Sequence, residues 1–462
     1  MGRREGDLVR KAIDMDMCNG PVLKKIWLFS LPLMLSGVLQ LLFNMVDMVV
    51  VGRFVSSEAL GAVGCTGSLV NLIINLFMGL SVGAGVVVAQ RYGAGDGRGV
   101  SETVHTSMLF SVIGGVVVGI IGIFVSRPLL VLMKTPAGEV LDMAYLYVFI
   151  YFCGLPAVGA YNFGASILRA VGDTRRPMVF LILSGLLNLV LNLIFVCVFS
   201  WGVAGVAIAT VLSQCLAAFL TIRCLMRADG CFRLYLRELG INTAVLKKIA
   251  RIGMPAGIQG ALFSISNMLI QSSVNLFGPI SMAGNTAASN IDGFAYIALN
   301  SFSQAAITFT GQNVGAKKIE RIPRVVRACS FSVVGLGIVL STVIFLLGRP
   351  LLSLYDADQG VIDAGMVRLT FVLIPYFICG LMETIVGVLR GFGRSVLPMI
   401  VSLLGSCVFR VIWIFTVFEV YQEFWIIFVS YPASWAITTA THFICFRLIY
   451  KKEKQKLLAE SV

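Results

Sequence analysis

Leu168-Arg169-Ala170-Val171-Gly172-Asp173-Thr174-Arg175-Arg176-Pro177-Met178 returns later in the chain as Leu389-Arg390-Gly391-Phe392-Gly393-Arg394-Ser395-Val396-Leu397-Pro398-Met399. The Leu-Arg, Gly and Pro-Met positions keep the same spacing in both copies. The match extends outward. Lys24-Lys25-Ile26 with Pro32 reappears as Lys247-Lys248-Ile249 with Pro255, and Gln90, Gly93 and Ala94 reappear as Gln312, Gly315 and Ala316. Arg127-Pro128-Leu129-Leu130 recurs as Arg349-Pro350-Leu351-Leu352. The offset stays between roughly 219 and 223 residues, so insertions are small and the repeat covers most of each half. In a chain this apolar, two halves built alike predict a transporter whose binding site changes access by a rocking motion.

Hydrophobic residues make up 58% of the chain and charged ones 13%, with a mean hydropathy of +0.92. Soluble domains carry about 25% charged residues. Windows of about 20 apolar residues, each able to cross a hydrocarbon core, recur with short breaks. They fall at roughly 25–52, 59–90, 104–126, 143–168, 177–199 and 203–226, then 248–278, 282–312, 326–347, 366–389, 397–418 and 424–448. An all-α integral membrane protein of twelve spans follows, because backbone in lipid must satisfy its hydrogen bonds within each segment. Six spans per half is an even number, so both halves start on the same side and the repeats are parallel.

The basic residues set the orientation. With a cytoplasmic N-terminus, 30 of the 36 Lys and Arg lie on the inner side. Arg53, Arg127, Lys134, Arg349 and Arg368 are left to outer loops and Arg410 to a span. This bias predicts a cell-membrane protein with both termini and the central linker inside. The expected division is an N-terminal tail (1–23), an N-lobe (24–226), a linker (227–247), a C-lobe (248–450) and a C-terminal tail (451–462). The net charge of +13 suits anionic headgroups of the inner leaflet and needs no nucleic acid. The first apolar run is too long for a cleaved signal peptide.

Enzyme chemistry is hard to place. The two histidines, His105 and His442, are far apart, and no G-x-x-x-x-G-K-[ST] phosphate loop occurs. Eleven cysteines without a C-x-x-C pair read as small core residues, and no cofactor is expected.

The informative residues are polar groups at membrane depth. Only Asp47, Asp292, Glu383 and Arg410 fall well inside spans as charged groups. Each costs about 2.5–3.5 kcal/mol there unless paired or wetted, which makes function the default reading. Ser36, Gln40, Asn44 and Asp47 share one face of helix 1, and Ser184, Asn188 and Asn192 one face of helix 5, while helix 6 adds Thr210. At 1.5 Å per residue, Asp47 lies roughly 8 Å from the outer end, Asn192 and Thr210 about 10 Å and Asn188 about 16 Å. They occupy one layer, with no basic residue at that level of the first lobe. A carboxylate ringed by amide and hydroxyl oxygens takes a proton or binds a small hard cation.

Twelve helices in two parallel lobes, a Pro fifteen residues before an Asp in helix 1, an Asn pair in helix 5, Gly-Gln-Asn-Val-Gly-Ala at 311–316 and Leu-Arg-Gly-Phe-Gly at 389–393 resemble the multidrug and toxic compound extrusion (MATE) transporters. The resemblance covers residues 20 to 450. It implies a V-shaped fold and export of bulky organic cations, coupled to inward Na⁺ or H⁺; a monomer is expected. It also implies a first-lobe cation site at Asp47, Asn188, Asn192 and Thr210, which would ligate the metal if Na⁺ is the coupling ion. The chain departs from the acidic version of that site in having Asn192, which leaves a single carboxylate.

In the second lobe, Asn285, Ser289, Asp292 and Tyr296 form a stripe on helix 8. Glu383 and Arg410 lie at depths that let Arg410 reach either acid, so a structural ion pair is as good a reading there as a functional site. Gln259, Asn267, Gln271 and Asn275 of helix 7 either line a cavity or bind neighbouring helices. Candidate cavity residues are thus Gln40, Asn44, Asn162, Gln259, Asp292, Glu383 and Arg410. Pro32 and Pro255, two turns into helices 1 and 7, are gating candidates or simply tolerated prolines. A flippase for lipid-linked sugars would want a cationic cavity, for which the sequence offers only Arg410. A receptor or structural protein would need neither the paired lobes nor an unpaired Asp47.

Overall fold

The computed structural model describes residues 15–132 and 138–460. Most of the expected N-terminal tail, Lys134 and the last two residues of the C-terminal tail lie outside the described residues. Twelve helical rods follow one another: α1 Val22–Phe54, α2 Ser57–Gly93, α3 Gly97–Leu132, α4 Glu139–Cys153 with Leu155–Ala170, α5 Arg175–Val198 and α6 Gly202–Met226. The second series is α7 Thr243–Asn275, α8 Gly278–Gly315, α9 Ile322–Leu346, α10 Gln359–Leu373 with Tyr376–Gly391, α11 Val396–Tyr421 and α12 Phe424–Glu460. The described residues contain no strand. Several helices run further than the sequence windows: α3 overruns at both ends, α7 begins inside the expected linker, α10 begins well before residue 366, and α12 continues through the expected tail.

Seven rods are apolar and long enough to span by themselves, or nine when α4 and α10 are each taken as one bent span. The other three, α7, α8 and α12, carry polar side chains that dilute their apolar windows. The lipid-facing logic is clear on α3. Val112, Val116, Ile120 and Phe124 recur every fourth residue and are exposed. An adjoining, buried face holds Gly115 and Gly119, where an added Cβ would come within 2.6 Å of Pro156 and 2.7 Å of the Phe152 carbonyl. Without a hydrophobic force between helices in lipid, such close small-residue contact is what holds them together.

The repeat is visible in the breaks. α4 bends by 50° between Cys153 and Leu155, and α10 by 43° between Leu373 and Tyr376. Pro156, the second residue after the first break, and Pro375, within the second, stand at these bends. Proline removes an intrahelical donor and clashes with the preceding turn, so a break there is expected.

The chain forms two compact units. One is built on Leu35–Gly257 and the other on Asp16–Met34 with Ile258–Val462. Both boundaries fall three residues beyond a proline, Pro32 in α1 and Pro255 in α7. A cut at the linker would have assigned those opening turns the other way. Within the first unit, Gly79 and Gly83 of α2 meet Gly257 and Gly253 of α7 so closely that a Cβ on Gly79 would lie 2.2 Å from the Gly257 nitrogen. Within the second, the opening turns of α1 pack on α8 through Trp27 on Phe302 and Phe29 on Phe309, at 5.2 and 5.8 Å between ring centroids.

Candidate functional site

In the first unit, α1, α5 and α6 bring four predicted residues together. Asn188 and Asn192 stand one turn apart on α5, as their spacing requires. Asn192 Nδ2 donates to Asp47 Oδ1 at 2.5 Å and to Asn188 Oδ1 at 3.3 Å. Asn188 Nδ2 reaches Thr210 Oγ1 at 3.5 Å, and Thr210 Oγ1 donates to the Val206 carbonyl at 2.9 Å. Immediately after Asn192, α5 widens into a π-turn, Leu193–Val198. Departures of this kind are common where a helix carries functional side chains.

The surroundings make the charge expensive. Val50, Val51, Val196, Val203 and Val206 form a buried apolar cluster on the same three helices, with Val46 and Tyr147 packed on it. No Lys or Arg among the described residues pairs with Asp47. Asn192 is fully buried, and its Oδ1 has no partner. A buried acceptor left unpaired costs about 1–3 kcal/mol. The cluster therefore gathers the oxygens of four side chains from three helices, with no Lys or Arg among the described residues to complete it. Tyr147 of α4, within electrostatic reach of Asp47, was not anticipated from the sequence. Its position on another helix left no local signal.

The other candidates are placed differently. Gln40 and Asn44 are exposed on α1 and make no hydrogen bond to the cluster. Asn162 Nδ2 donates to its own helix, at the Val158 carbonyl. Gln259 accepts from Arg390 at 2.9 Å and donates to Ser402 Oγ at 3.1 Å.

The second-unit ion pair is not the expected one. Arg410 pairs with neither Asp292 nor Glu383. Asp292 Oδ2 accepts from Nε and Nη2 of Arg368, both at 2.9 Å. Arg368 Nη1 continues to Asn285 Oδ1 at 2.9 Å, Asn285 to Gln271 at 2.8 Å, and Gln271 to Asn275 at 2.9 Å. The sidedness read from the basic residues leaves Arg368 to an outer loop. Because α10 starts at Gln359, it lies within the helix and is buried. Arg390 is the basic group that acts on Glu383.

A duplicated set of six membrane-spanning helices, with an unpaired acid-amide cluster in one unit, defines a membrane transporter rather than an enzyme. The chain belongs to the MatE family, whose model matches residues 32–194 and again 255–416. Among similar proteins, the probable multidrug resistance proteins YpnP and YoeA of Bacillus subtilis are each 28% identical. The first match covers 86% of this chain and 88% of YpnP, the second 92% of this chain and 94% of YoeA. A crystal structure of MATE in complex with MaL6 has the same fold, with a TM-score of 0.89 at 23% identity over 95% of this chain and 98% of that one. An outward-facing multidrug resistance MATE transporter of the MOP superfamily superposes with the same score, identity and coverage.

Proposed function

We propose that the protein is a secondary active exporter of organic cations, driven by inward H⁺ or Na⁺ and coupled at Asp47. The carrying observation is the acid-amide cluster: a half-buried carboxylate that pairs with no Lys or Arg among the described residues, beside a buried amide oxygen with no hydrogen-bond partner among them. The names of the Bacillus relatives support drug efflux as the task.

The residues suggest how coupling works. With the site unloaded, Asn192 spends its N–H on Asp47. An arriving proton neutralises the carboxylate and weakens that bond. An arriving Na⁺ instead demands oxygens, which Asp47, Asn188, Thr210 and a rotated Asn192 amide supply. Either event frees α5 from α1 at that depth. Pro32, fifteen residues earlier in α1, removes one backbone hydrogen bond and gives the helix a place to respond. Pro255 gives α7 the same freedom. In this reading the N-terminus and linker face the cytoplasm and the protein works as a monomer in the cell membrane.

Purified protein in vesicles, loaded with a fluorescent organic cation, tests this directly. An imposed inward H⁺ or Na⁺ gradient is expected to drive efflux. Efflux that ignores both gradients would overturn the proposal.

A further inference from the structure

The second repeat holds a charge-reversed counterpart of the Asp47 cluster. Counting from Pro32 and Pro255, Asp47 corresponds to Ile270, which is buried and apolar. Counting from Pro177 and Pro398, the buried positions Leu181 and Gly185 of α5 correspond to Ser402 and Ser406 of α11. The π-turn Leu403–Val408 then adds a residue, so the buried face resumes at Arg410, where α5 has Asn188. At the same offset, Thr210 falls on Tyr431. One repeat thus has an acid among amides, and the other a guanidinium among rings and hydroxyls.

The geometry around Arg410 is built to hold a cation in place. The residue is 2% exposed. Its Nε donates to Ser434 Oγ at 3.0 Å, and its guanidinium lies 4.1 Å from the Tyr431 ring centroid and 5.7 Å from that of Trp435. Ser406 and Thr438 add a second hydroxyl pair, 3.2 Å apart, one turn away on each helix. A second π-turn, Ile414–Phe418, follows on the far side. No carboxylate among the described residues pairs with Arg410, and Nη1 and Nη2 make no hydrogen bond. Asp292, the acid nearest in role, is already held by Arg368. A buried guanidinium with four unused N–H donors and no counter-charge is an incomplete site.

We propose that Arg410, held in place by Ser434 and the two rings, binds a small monovalent anion through Nη1 and Nη2, either a halide or the carboxylate of a transported molecule. The planar fork suits a carboxylate, and a halide can accept from both Nη groups. Ser434 donates its own proton to the Tyr431 carbonyl, so it orients the guanidinium and leaves the anion to Nη1 and Nη2.

The full-length protein in detergent, at constant Na⁺ so that the Asp47 cluster is not perturbed, tests this by thermal melting in sulfate buffer with added chloride or acetate. The expected result is a rise in melting temperature that saturates with one of these anions and disappears in Arg410→Gln. Saturation by chloride identifies an inorganic anion, and preference for acetate identifies a carboxylate. If Arg410→Gln does not fold, Arg410→Lys carries the test. It keeps the charge without the fork, so its saturation midpoint should move to several-fold higher anion concentration. A wild-type melt insensitive to both anions, an Arg410→Gln protein that keeps the shift, or an Arg410→Lys protein with an unchanged midpoint would overturn the proposal.

Discussion

Asp292 and Arg368 show how much a single side chain decides at this depth. The pair is buried, with two contacts of 2.9 Å to one carboxylate oxygen. Removing one partner of such a pair leaves an uncompensated charge and costs about 3–5 kcal/mol, whereas replacing both with apolar groups is often neutral. Arg368→Gln is therefore expected to lower the melting temperature sharply, and Arg368→Met with Asp292→Leu to recover it. A double variant no more stable than the single one would show that the pair is not acting as a unit. The stripe on α8 was legible from its helical spacing, and so was the Asp47 face of α1. The identity of Asp292's partner was not. It depended on where α10 begins, and an apolar window locates a helix end only to within a few residues.

At the scale of elements, the α2–α7 seam within the first unit is a contact of backbones. Gly79, Gly83, Gly253 and Gly257 leave no room for a methyl group: the nearest heavy atoms to an added Cβ are backbone atoms at 2.2, 2.4, 2.6 and 3.0 Å respectively. Gly79→Ala is expected to destabilise the purified protein by about 1–3 kcal/mol, the usual cost of overpacking. Gly335→Ala in α9, where nothing lies within 4 Å, should melt like the wild type. Equal melting temperatures for the two variants would mean that the seam opens at no cost. The twelve windows read in the sequence correspond to twelve rods because apolar length is a strong local signal. The π-turns of α5, α10 and α11 were not readable, because an extra residue per turn leaves no mark on composition. The bends of α4 and α10 have a local signal in Pro156 and Pro375, since proline breaks the helical hydrogen-bond ladder.

For the whole molecule, duplication explains the architecture, and departure from duplication explains the division of labour. Each repeat supplies six helices with the fourth one bent, yet the first keeps an unpaired acid and the second ties its acid to Arg368. The coupling we propose therefore rests on the first unit. Topology is tested separately: a cysteine placed beside Arg233 in the linker should be unreactive to an impermeant reagent in intact cells. Labelling from outside would reverse the orientation inferred from the basic residues. The central claim is that Asp47 couples export to the ion gradient. Efflux from vesicles carrying wild-type protein or Asp47→Asn, at equal incorporation and under the same imposed gradients, measures it most directly. The account predicts that Asp47→Asn folds, melts no lower than the wild type because an unpaired carboxylate has been removed, and shows no gradient-driven efflux. Undiminished gradient-driven efflux by the folded variant would contradict it.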